Sequence, residues 1–180
     1  MTHPATPNAA AAICGVEVRR LTPHADDRGT FTEIFRETWV PAPRFVQWNA
    51  VTSRARTLRG VHVHLRHADY LVLISGHFWL GLADLRPGAR ADGERTIIEI
   101  AAAEPMAVAI PPGVAHGFLF STDSVHVYGV SEYHDGTDEL GCRWDDPGLG
   151  LEWPIVPSLV SARDRQLPSL RTLRASLGQS

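Results

Sequence analysis

Three histidines and one carboxylate stand at spacings that predict a shared polar cluster. His62 and His64 lie two residues apart in a short run of Gly and Val. Side chains two apart in a strand point to the same face, so both imidazoles should face the same side. Asp69 follows five residues later, and His116 ends a Pro-Pro-Gly segment. Imidazoles are costly to bury without partners, so the pattern indicates a site that moves protons or binds a metal ion.

Short strands are the elements that must position these residues. From Gly15 onward, runs rich in Val, Ile, Phe and Tyr alternate with turn pairs such as Ser-Gly, Pro-Gly and Asp-Gly. Many short strands at regular spacing predict a β-sandwich or barrel, and a helix is predicted only near 167–177. The predicted strands are 16–21, 30–36, 45–51, 57–65, 70–75, 78–83, 96–101, 107–110, 117–120 and 125–133.

Length and charge limit the classes of function. A chain of 180 residues suits one domain with a substantial core, and we expect this domain to span 15–180 after a flexible Ala/Pro-rich arm at 1–14. The net charge of −3 gives no electrostatic footprint for nucleic acid. No run is apolar enough to span a membrane, and no basic region precedes the apolar residues 9–14. We therefore expect a cytoplasmic protein without a nucleic-acid or membrane partner.

The basic residues are all arginine. There are 17 of them and no lysine, which excludes a Schiff base between this chain and a carbonyl substrate. A guanidinium stabilises negative charge but does not act as a base at working pH. The two cysteines, Cys14 and Cys142, are far apart and are predicted to be free thiols.

The histidine pattern resembles the two signatures of the cupin family. The first is His-x-His, a carboxylate and a glycine, matched by His62, His64, Asp69 and Gly76; the second is Pro-x-Gly-x-x-His, ending here at His116. The resemblance implies an all-β cupin fold, a double-stranded β-helix or jelly-roll barrel, with a short C-terminal helix. Cupins host many chemistries, so this resemblance alone does not fix the function.

A narrower resemblance, to the dTDP-4-dehydrorhamnose 3,5-epimerase family, runs from about residue 16 to residue 171. That family epimerises carbons that flank the ketone of a nucleotide-linked 4-keto-6-deoxyhexose, and it needs no metal or redox cofactor. Removing a proton next to a ketone requires a base, an acid on the opposite face and positive charge near the oxygen. The matching segments are 27–33, 45–49, 58–62, 112–118, 128–139, 144–147, 151–154 and 161–164.

The resemblance implies a role for each matching residue. His62 matches the base, Tyr128 the acid that returns a proton from the opposite side, and Asp164 the carboxylate that orients the imidazole. Arg59 matches an arginine beside the keto group, and His116 a second histidine of the substrate pocket. Contacts to the nucleotide diphosphate match Arg28, Glu33, Gln47, Asn49, His134, Glu139 and Arg163. The resemblance also implies a homodimer in which an N-terminal strand crosses to the partner.

Four positions depart from the family pattern. Asp69 stands where the family has a Lys near the keto oxygen, and a carboxylate there would repel an enolate. Leu80 replaces an Asp that supports the catalytic histidine, His64 replaces a Gln, and His134 replaces the Tyr that stacks on thymine. The changes at 64 and 69 regenerate a metal-cupin pattern, so His62, His64, Asp69 and His116 form an alternative site for one divalent ion.

Three hypotheses about function therefore stay open. The first is a cofactor-free epimerase of a nucleotide-diphosphate 4-keto-6-deoxy sugar, acting at C3 alone or at C3 and C5. The second is a metal-dependent cupin enzyme, an isomerase, epimerase or oxygenase, with the site of three histidines and one aspartate. The third is a non-catalytic cupin that binds a nucleotide sugar without turnover.

Overall fold

The computed structural model describes residues 13, 15–40, 43–88 and 94–178. Short strands dominate this part of the chain, with two short helices near its end. The strands are β1 (Glu17–Arg20), β2 (Pro23–Asp26), β3 (Gly29–Thr32), β4 (Gln47–Ser53), β5 (Thr57–Val63), β6 (Asp69–Ser75), β7 (His77–Asp84), β8 (Arg95–Ala101), β9 (Met106–Ile110), β10 (Val114–Phe120), β11 (Ser124–Val130), β12 (Leu140–Gly141) and β13 (Leu159–Val160). A 3-10 turn covers Glu37–Trp39, and the helices are α1 (Ala162–Arg165) and α2 (Leu170–Ser176).

Two sheets form the barrel. The first has the order β1-β9-β6-β11-β4, and the second has the order β12-β5-β10-β7-β8, with β13 added in parallel to β5. The hairpin β2-β3 stands apart as a two-stranded sheet. The predicted all-β cupin fold with a short C-terminal helix is confirmed. None of the described helices is long and apolar enough to cross a membrane.

All ten predicted strands are present, with shifted ends. β3 stops at Thr32, and β11 stops at Val130, so both are shorter than predicted. β10 begins at Val114, three residues before the predicted start, which places His116 inside the strand. The elements that sequence analysis missed are short: β2, β12, β13 and α1 have two to four residues each, too few to show a hydrophobic period.

Apolar side chains fill part of the space between the two sheets. Phe78, Leu80 and Ile98 of the second sheet pack with Leu71 and Val108 of the first, all nearly inaccessible to solvent. Burying a side chain of this size contributes about 1.5–3 kcal/mol. Leu80, which stands where the family has an Asp, belongs to this core.

Two smaller clusters cover the outer faces of the sheets. Leu170 and Leu173 of α2 pack on Val61 and Val63 of β5. The first sheet is covered by the apolar side chains of Ile34, Phe35, Trp39, Val40 and Phe45. Because α2 packs on one face of β5, the polar side chains of β5 lie on the other face, toward the space between the sheets.

The predictions of a flexible N-terminal arm and of two free thiols can be compared with the structure only in part, because residues 1–12 and 14 are not described. Ile13, which the arm prediction included, is buried in the core, whereas residues 1–12 and 14 lie outside the described chain. Cys142 is free and buried, and burial raises the pKa of its thiol to about 12. Cys14 is among the residues not described.

A β-bulge in β5 lets Arg59 and His62 face the same side. His62 pairs with His116 and Arg59 pairs with Phe118, so three steps along β5 oppose two steps along β10. In a regular strand, residues three apart face opposite sides, and the extra residue cancels this alternation. Gly60 lies in the bulge with a φ of +117°. A Cβ there would lie 2.8 Å from the Gly117 Cα and 2.9 Å from the His116 carbonyl oxygen.

Gly60→Ala should therefore destabilise the barrel and displace His62. We expect a loss of about 2–4 kcal/mol in the free energy of unfolding, from strain at positive φ together with the backbone clash. Gly88→Ala is the matched control, because Gly88 also has a positive φ but no described atom within 4 Å of its Cβ position. Chemical denaturation of both variants checks this, and equal losses would show that the close approach to β10 is unimportant.

Candidate active site

A cavity of about 640 Å³ opens between the two sheets. Residues from both sheets and from the β13-α1 segment line it. The structure therefore brings together most of the predicted site residues in one place. Those that line the cavity are Asn49, Arg59, His62, His64, Asp69, His116, Tyr128, His134, Glu139, Arg163 and Asp164; Arg28, Glu33 and Gln47 do not line it.

His62 and Asp164 form the closest polar pair in the cavity. His62 Nε2 lies 2.7 Å from Asp164 Oδ1, and the Gly60 N–H donates to Asp164 Oδ2 at 3.3 Å. Asp164 is only 4% exposed. The parallel pairing of β13 with β5 brings α1 beside the bulge. Ser161 caps α1 by accepting the Asp164 N–H at 3.0 Å, which fixes the carboxylate relative to His62.

The surroundings of Asp164 favour its charged form. Burial raises the pKa of Asp164, but the hydrogen bond and charge of His62, with the Gly60 N–H and Ser161, outweigh burial and hold that pKa below 3.8. When the imidazole is neutral, Nε2 donates its hydrogen to this carboxylate, and Nδ1 carries the lone pair. No described residue hydrogen-bonds to His62 Nδ1, so this nitrogen is available to accept a proton.

Tyr128 lies in the opposite sheet from His62. It belongs to β11, between Asn49 of β4 and Leu71 of β6, whereas His62 belongs to β5 of the second sheet. Burial raises the pKa of Tyr128, with further increases from the charges of Asp69 and Glu139, while Arg59 opposes them. The phenol therefore keeps its hydrogen at neutral pH and can donate it into the cavity.

Arg59 supplies a fixed cation at the cavity wall. Its Nε donates to Ser53 Oγ at 2.9 Å, and its Nη2 donates to the Thr52 carbonyl at 3.2 Å. These bonds hold the guanidinium beside β4, on the same side of the bulge as His62. A guanidinium keeps its charge at any working pH, so it stabilises negative charge that develops nearby.

His64, Asp69 and His116 form a second, more deeply buried group. Their ligand atoms all lie within 4.8 Å of one another. Burial raises the pKa of Asp69 to about 7; the charge of His64 opposes this, and Glu139 and Asp138 add to it. Burial also lowers the pKa of His116 well below 6.5. Of the four residues in the alternative metal set predicted from sequence, the structure brings these three together, and His62 lies outside the group.

Sequence analysis missed three polar residues near this group. His67 stacks on His64 with ring centroids 4.0 Å apart, and its Nδ1 lies 3.1 Å from Asp138 Oδ2. Asp138 also accepts the N–H groups that follow β5, which closes the turn. His126 stacks among aromatic rings, and burial lowers its pKa to about 4, with the charge of Arg59 adding to this. In the sequence, the three-residue spacing of His64 and His67 was the feature that could have indicated a contact between these two rings.

Glu139 connects the charged residues at the cavity mouth. Arg163 Nη2 donates to Glu139 Oε2 at 3.0 Å, and His134 Nδ1 lies 3.2 Å from Oε1. Gln47 lies behind this group, where its side chain accepts the His134 N–H and donates to Asn49 Oδ1 at 3.0 Å. Gln47 therefore supports the lining residues His134 and Asn49, whereas a direct contact between Gln47 and the nucleotide was predicted from the sequence.

Arg28 and Glu33 lie away from the cavity of their own chain. Both belong to the hairpin region, where Arg28 pairs with Asp26 at 2.6 Å and Glu33 pairs with Arg36. The Arg28 side chain is 89% exposed. The structure does not bring these residues to the cavity of their own chain, because the β2-β3 hairpin stands apart from both sheets. Their role in nucleotide binding stays a prediction.

The fold and the cavity define a cupin-type barrel with a histidine-carboxylate pair on one sheet and a tyrosine on the opposite sheet of the same cavity. Residues 10–172 match the family described as dTDP-4-dehydrorhamnose 3,5-epimerase. The chain belongs to this family, as predicted from its motifs, and the predicted class of carbohydrate epimerase is confirmed with it.

Relatives and solved structures agree with this assignment. SpsL of Bacillus subtilis, a spore coat polysaccharide biosynthesis protein, is 33% identical over 145 residues, covering 78% of this chain and 96% of SpsL. The dTDP-4-dehydrorhamnose 3,5-epimerase of Sinorhizobium fredii is 31% identical over 175 residues, covering 92% and 90%. The crystal structure of ChmJ, a 3'-monoepimerase from Streptomyces bikiniensis in complex with dTDP-quinovose, matches with a TM-score of 0.84, 30% identity and coverage of 98% of this chain and 91% of ChmJ.

Asp164→Asn should reduce stability in a pH-dependent way. Because the folded-state pKa of Asp164 is lowered, its charge stabilises the fold above the ordinary value of 3.8, and this contribution disappears as pH falls through the folded-state pKa. We expect the variant to be about 1–3 kcal/mol less stable than the wild type at neutral pH, with the difference shrinking in acid.

Urea denaturation across this pH range measures the effect. Glu104→Gln is the control, because Glu104 forms only an exposed ion pair with Arg20 and should change stability by less than about 1 kcal/mol. A difference between wild type and Asp164→Asn that stays constant down to strong acid would contradict the account of this carboxylate.

Proposed function

We propose that this protein inverts a carbon next to the ketone of a nucleotide-diphosphate-linked 4-keto-6-deoxy sugar, at C3 and with C5 as a second candidate. The observation that supports this most directly is the placement of His62 and Tyr128 on opposite sheets of one cavity. Inversion at carbon needs a base on one face and an acid on the other. Membership of the epimerase family supports the choice of substrate class.

In the proposed reaction, Nδ1 of His62 removes the proton next to the ketone. The electrons of the C–H bond move to the keto oxygen and give an enolate, whose charge Arg59 stabilises. Tyr128 then donates its phenolic hydrogen to the same carbon from the opposite face, and the electrons return from oxygen. Asp164 stabilises the imidazolium that forms on His62. The reaction is redox-neutral, and exchange with water resets both residues.

The nucleotide would bind at the cavity mouth. Arg163 is a cation there that can pair with a diphosphate, and Asn49 and Glu139 offer groups for the ribose and the base. ChmJ, which resembles this chain, was solved with dTDP-quinovose. His134 is 57% exposed in its side chain and presents a smaller ring than the family's Tyr. We therefore expect a binding site for a thymidine nucleotide with a smaller stacking platform.

Deuterium exchange with dTDP-4-keto-6-deoxyglucose in heavy water tests the proposed roles. The wild type should incorporate deuterium at C3, and His62→Ala should lower this rate by about 10²- to 10⁴-fold, because the base is missing. Tyr128→Phe should allow exchange without inversion, since His62 can return a deuteron only to the face from which it took the proton. NMR of substrate and product measures both the deuterium content at C3 and the extent of inversion.

The matched control for Tyr128 is Tyr133→Phe. Tyr133 is 75% exposed and outside the cavity lining, so it should exchange and invert as the wild type does. Normal inversion by Tyr128→Phe would show that the acid is wrongly assigned. Binding of the nucleotide sugar without exchange at C3 or C5 in the wild type would instead favour the non-catalytic hypothesis.

We also propose that the active unit is a homodimer in which Arg28 serves the partner's cavity. Arg28 and Glu33 match nucleotide-binding positions of the family, yet they lie outside the cavity of their own chain. They are carried by an exposed hairpin with Phe31, a large apolar side chain that is 69% exposed. A hairpin that reaches a second barrel would bury Phe31 and bring Arg28 to a diphosphate.

Co-expression of Arg28→Ala with His62→Ala tests this arrangement. Each variant alone should be nearly inactive, but a hybrid dimer regains one intact site made from His62 of one chain and Arg28 of the other. Random pairing should restore about a quarter of wild-type activity. Lack of recovery in a mixture shown by light scattering to be dimeric would contradict the crossing of the hairpin.

A further inference from the structure

The buried group of His64, Asp69 and His116 has no part in the proton transfers assigned to His62 and Tyr128. Its three members are 7%, 6% and 5% exposed, and all of them line the cavity. They come from the residue after β5, the first residue of β6 and the middle of β10. Polar groups this deeply buried usually have a partner, and the hydrogen bonds around these three show what kind of partner is missing.

The hydrogen bonds on the far side of both imidazoles determine which nitrogen faces Asp69. Nδ1 of His64 lies 2.6 Å from the Asp138 carbonyl oxygen, and Nδ1 of His116 lies 3.2 Å from the Val114 carbonyl oxygen. A carbonyl oxygen only accepts, so both Nδ1 atoms carry hydrogen. In each neutral ring Nε2 then holds a lone pair, and it is Nε2 that faces Asp69. This orientation by a backbone carbonyl is typical of histidines that bind metal ions.

Asp69 does not complete the group by itself. Its Oδ2 lies 3.9 Å from Nε2 of His64 and 3.8 Å from Nε2 of His116, which is too far for a hydrogen bond. No described residue donates a hydrogen bond to the Asp69 carboxylate. When both rings are neutral, two lone pairs and a carboxylate oxygen therefore surround one small volume, and no described arginine forms an ion pair with Asp69.

The spacing is close to that of a metal site. With bond lengths of about 2.0–2.2 Å, ligand atoms of a tetrahedral site stand about 3.4 Å apart. The observed distances of 3.8 and 3.9 Å need to close by about half an ångström.

We propose that His64, Asp69 and His116 bind one divalent first-row transition-metal ion at the wall of the cavity. Two imidazoles and a carboxylate suit zinc, iron(II), manganese(II) or nickel(II), and the three residues leave positions open toward the cavity. His62 is not counted as a ligand, because it does not belong to the group whose ligand atoms lie within 4.8 Å of one another. The base and the ion are therefore separate parts of one site.

The metal ion would supply, when bound, positive charge where the family has a lysine and this chain has Asp69. This consequence rests on the proposed epimerase function, whereas the binding of the ion does not. It gives a physical reason for a substitution that looks unfavourable alone: a carboxylate at position 69 repels an enolate, but a carboxylate bound to a divalent cation does not.

Metal binding by the full-length protein tests the proposal without substrate. Protein treated with chelator and then dialysed is titrated with zinc chloride by calorimetry, and the metal retained after gel filtration is counted. We expect one zinc per chain, and at least about a 100-fold weaker affinity in Asp69→Asn and His116→Asn, since even outer partners of metal ligands change affinity 10- to 100-fold. His126→Phe, which removes a buried cavity histidine outside the group, should bind zinc as the wild type does.

Cobalt(II) provides a second readout, because its visible absorption reports the ligand geometry. The wild type should give a protein-bound cobalt spectrum that Asp69→Lys lacks, and Asp69→Lys also covers the case in which the asparagine variant fails to fold. Failure of the wild type to retain zinc, or equal zinc affinity in wild type and Asp69→Asn, would overturn the proposal. In the second case, the neighbouring group of His64, His67 and Asp138 would be the ligand set.

Deuterium exchange by the metal-free and zinc-loaded protein separates this proposal from the proposed function. Retained zinc without exchange by either form supports the metal site and refutes the epimerase. Exchange by the protein without any zinc binding refutes the metal site and leaves the epimerase intact.

Discussion

The hydrogen bond between His62 and Asp164 is the contact on which the rest of the site depends. It joins a residue of the second sheet to a helix of one turn near the C-terminus, 102 positions away in sequence. The contact requires the β5 bulge, which turns His62 into the cavity, and the parallel pairing of β13, which brings Asp164 beside it. With Nε2 held by a carboxylate, Nδ1 is the nitrogen that removes the proton in the proposed reaction, and the fold fixes its orientation.

The cavity contains two polar regions with different chemistry. Around His62, charges are arranged for proton transfer, with Arg59 as a fixed cation and Tyr128 as a neutral acid on the facing sheet. Around Asp69, two imidazoles and a carboxylate are buried without a described cation between them. In the family this second region carries a lysine, which this chain lacks altogether. A bound cation at the second region would restore the charge that the family places near the keto oxygen.

The barrel was predictable because its strands are long enough to show a pattern. Runs such as β6 and β7 have seven and eight residues with dense apolar content, and the histidine motifs mark β5 and β10. The resemblance to the family identified His62, Tyr128, Arg59 and Asp164 as residues of one cavity. Sequence analysis did not predict β2, β12, β13 and α1, because two to four residues carry no period.

Details of the site depended on contacts that sequence does not record. A regular β5 would place Arg59 and His62 on opposite faces of the strand. The register shift between β5 and β10, which only the structure reveals, places both side chains on the same face. The separation of His62 from the group of His64, Asp69 and His116 is a similar case, since sequence spacing does not give the distances between side chains. Arg28 and Glu33 match a binding motif, but a motif does not tell whether its residues serve their own chain or a second copy.

A single turnover in heavy water tests the central claim that two residues on opposite walls perform the inversion. Enzyme in excess over dTDP-4-keto-6-deoxyglucose is quenched during the first turnover, and the hydrogen isotope at the inverted carbon is determined by mass spectrometry. Our account predicts deuterium at that carbon in all of the product, because the incoming hydrogen belongs to Tyr128 and equilibrates with solvent beforehand. Product that retains the substrate's own hydrogen at the inverted carbon would contradict it, since one group would then have removed and returned the same proton.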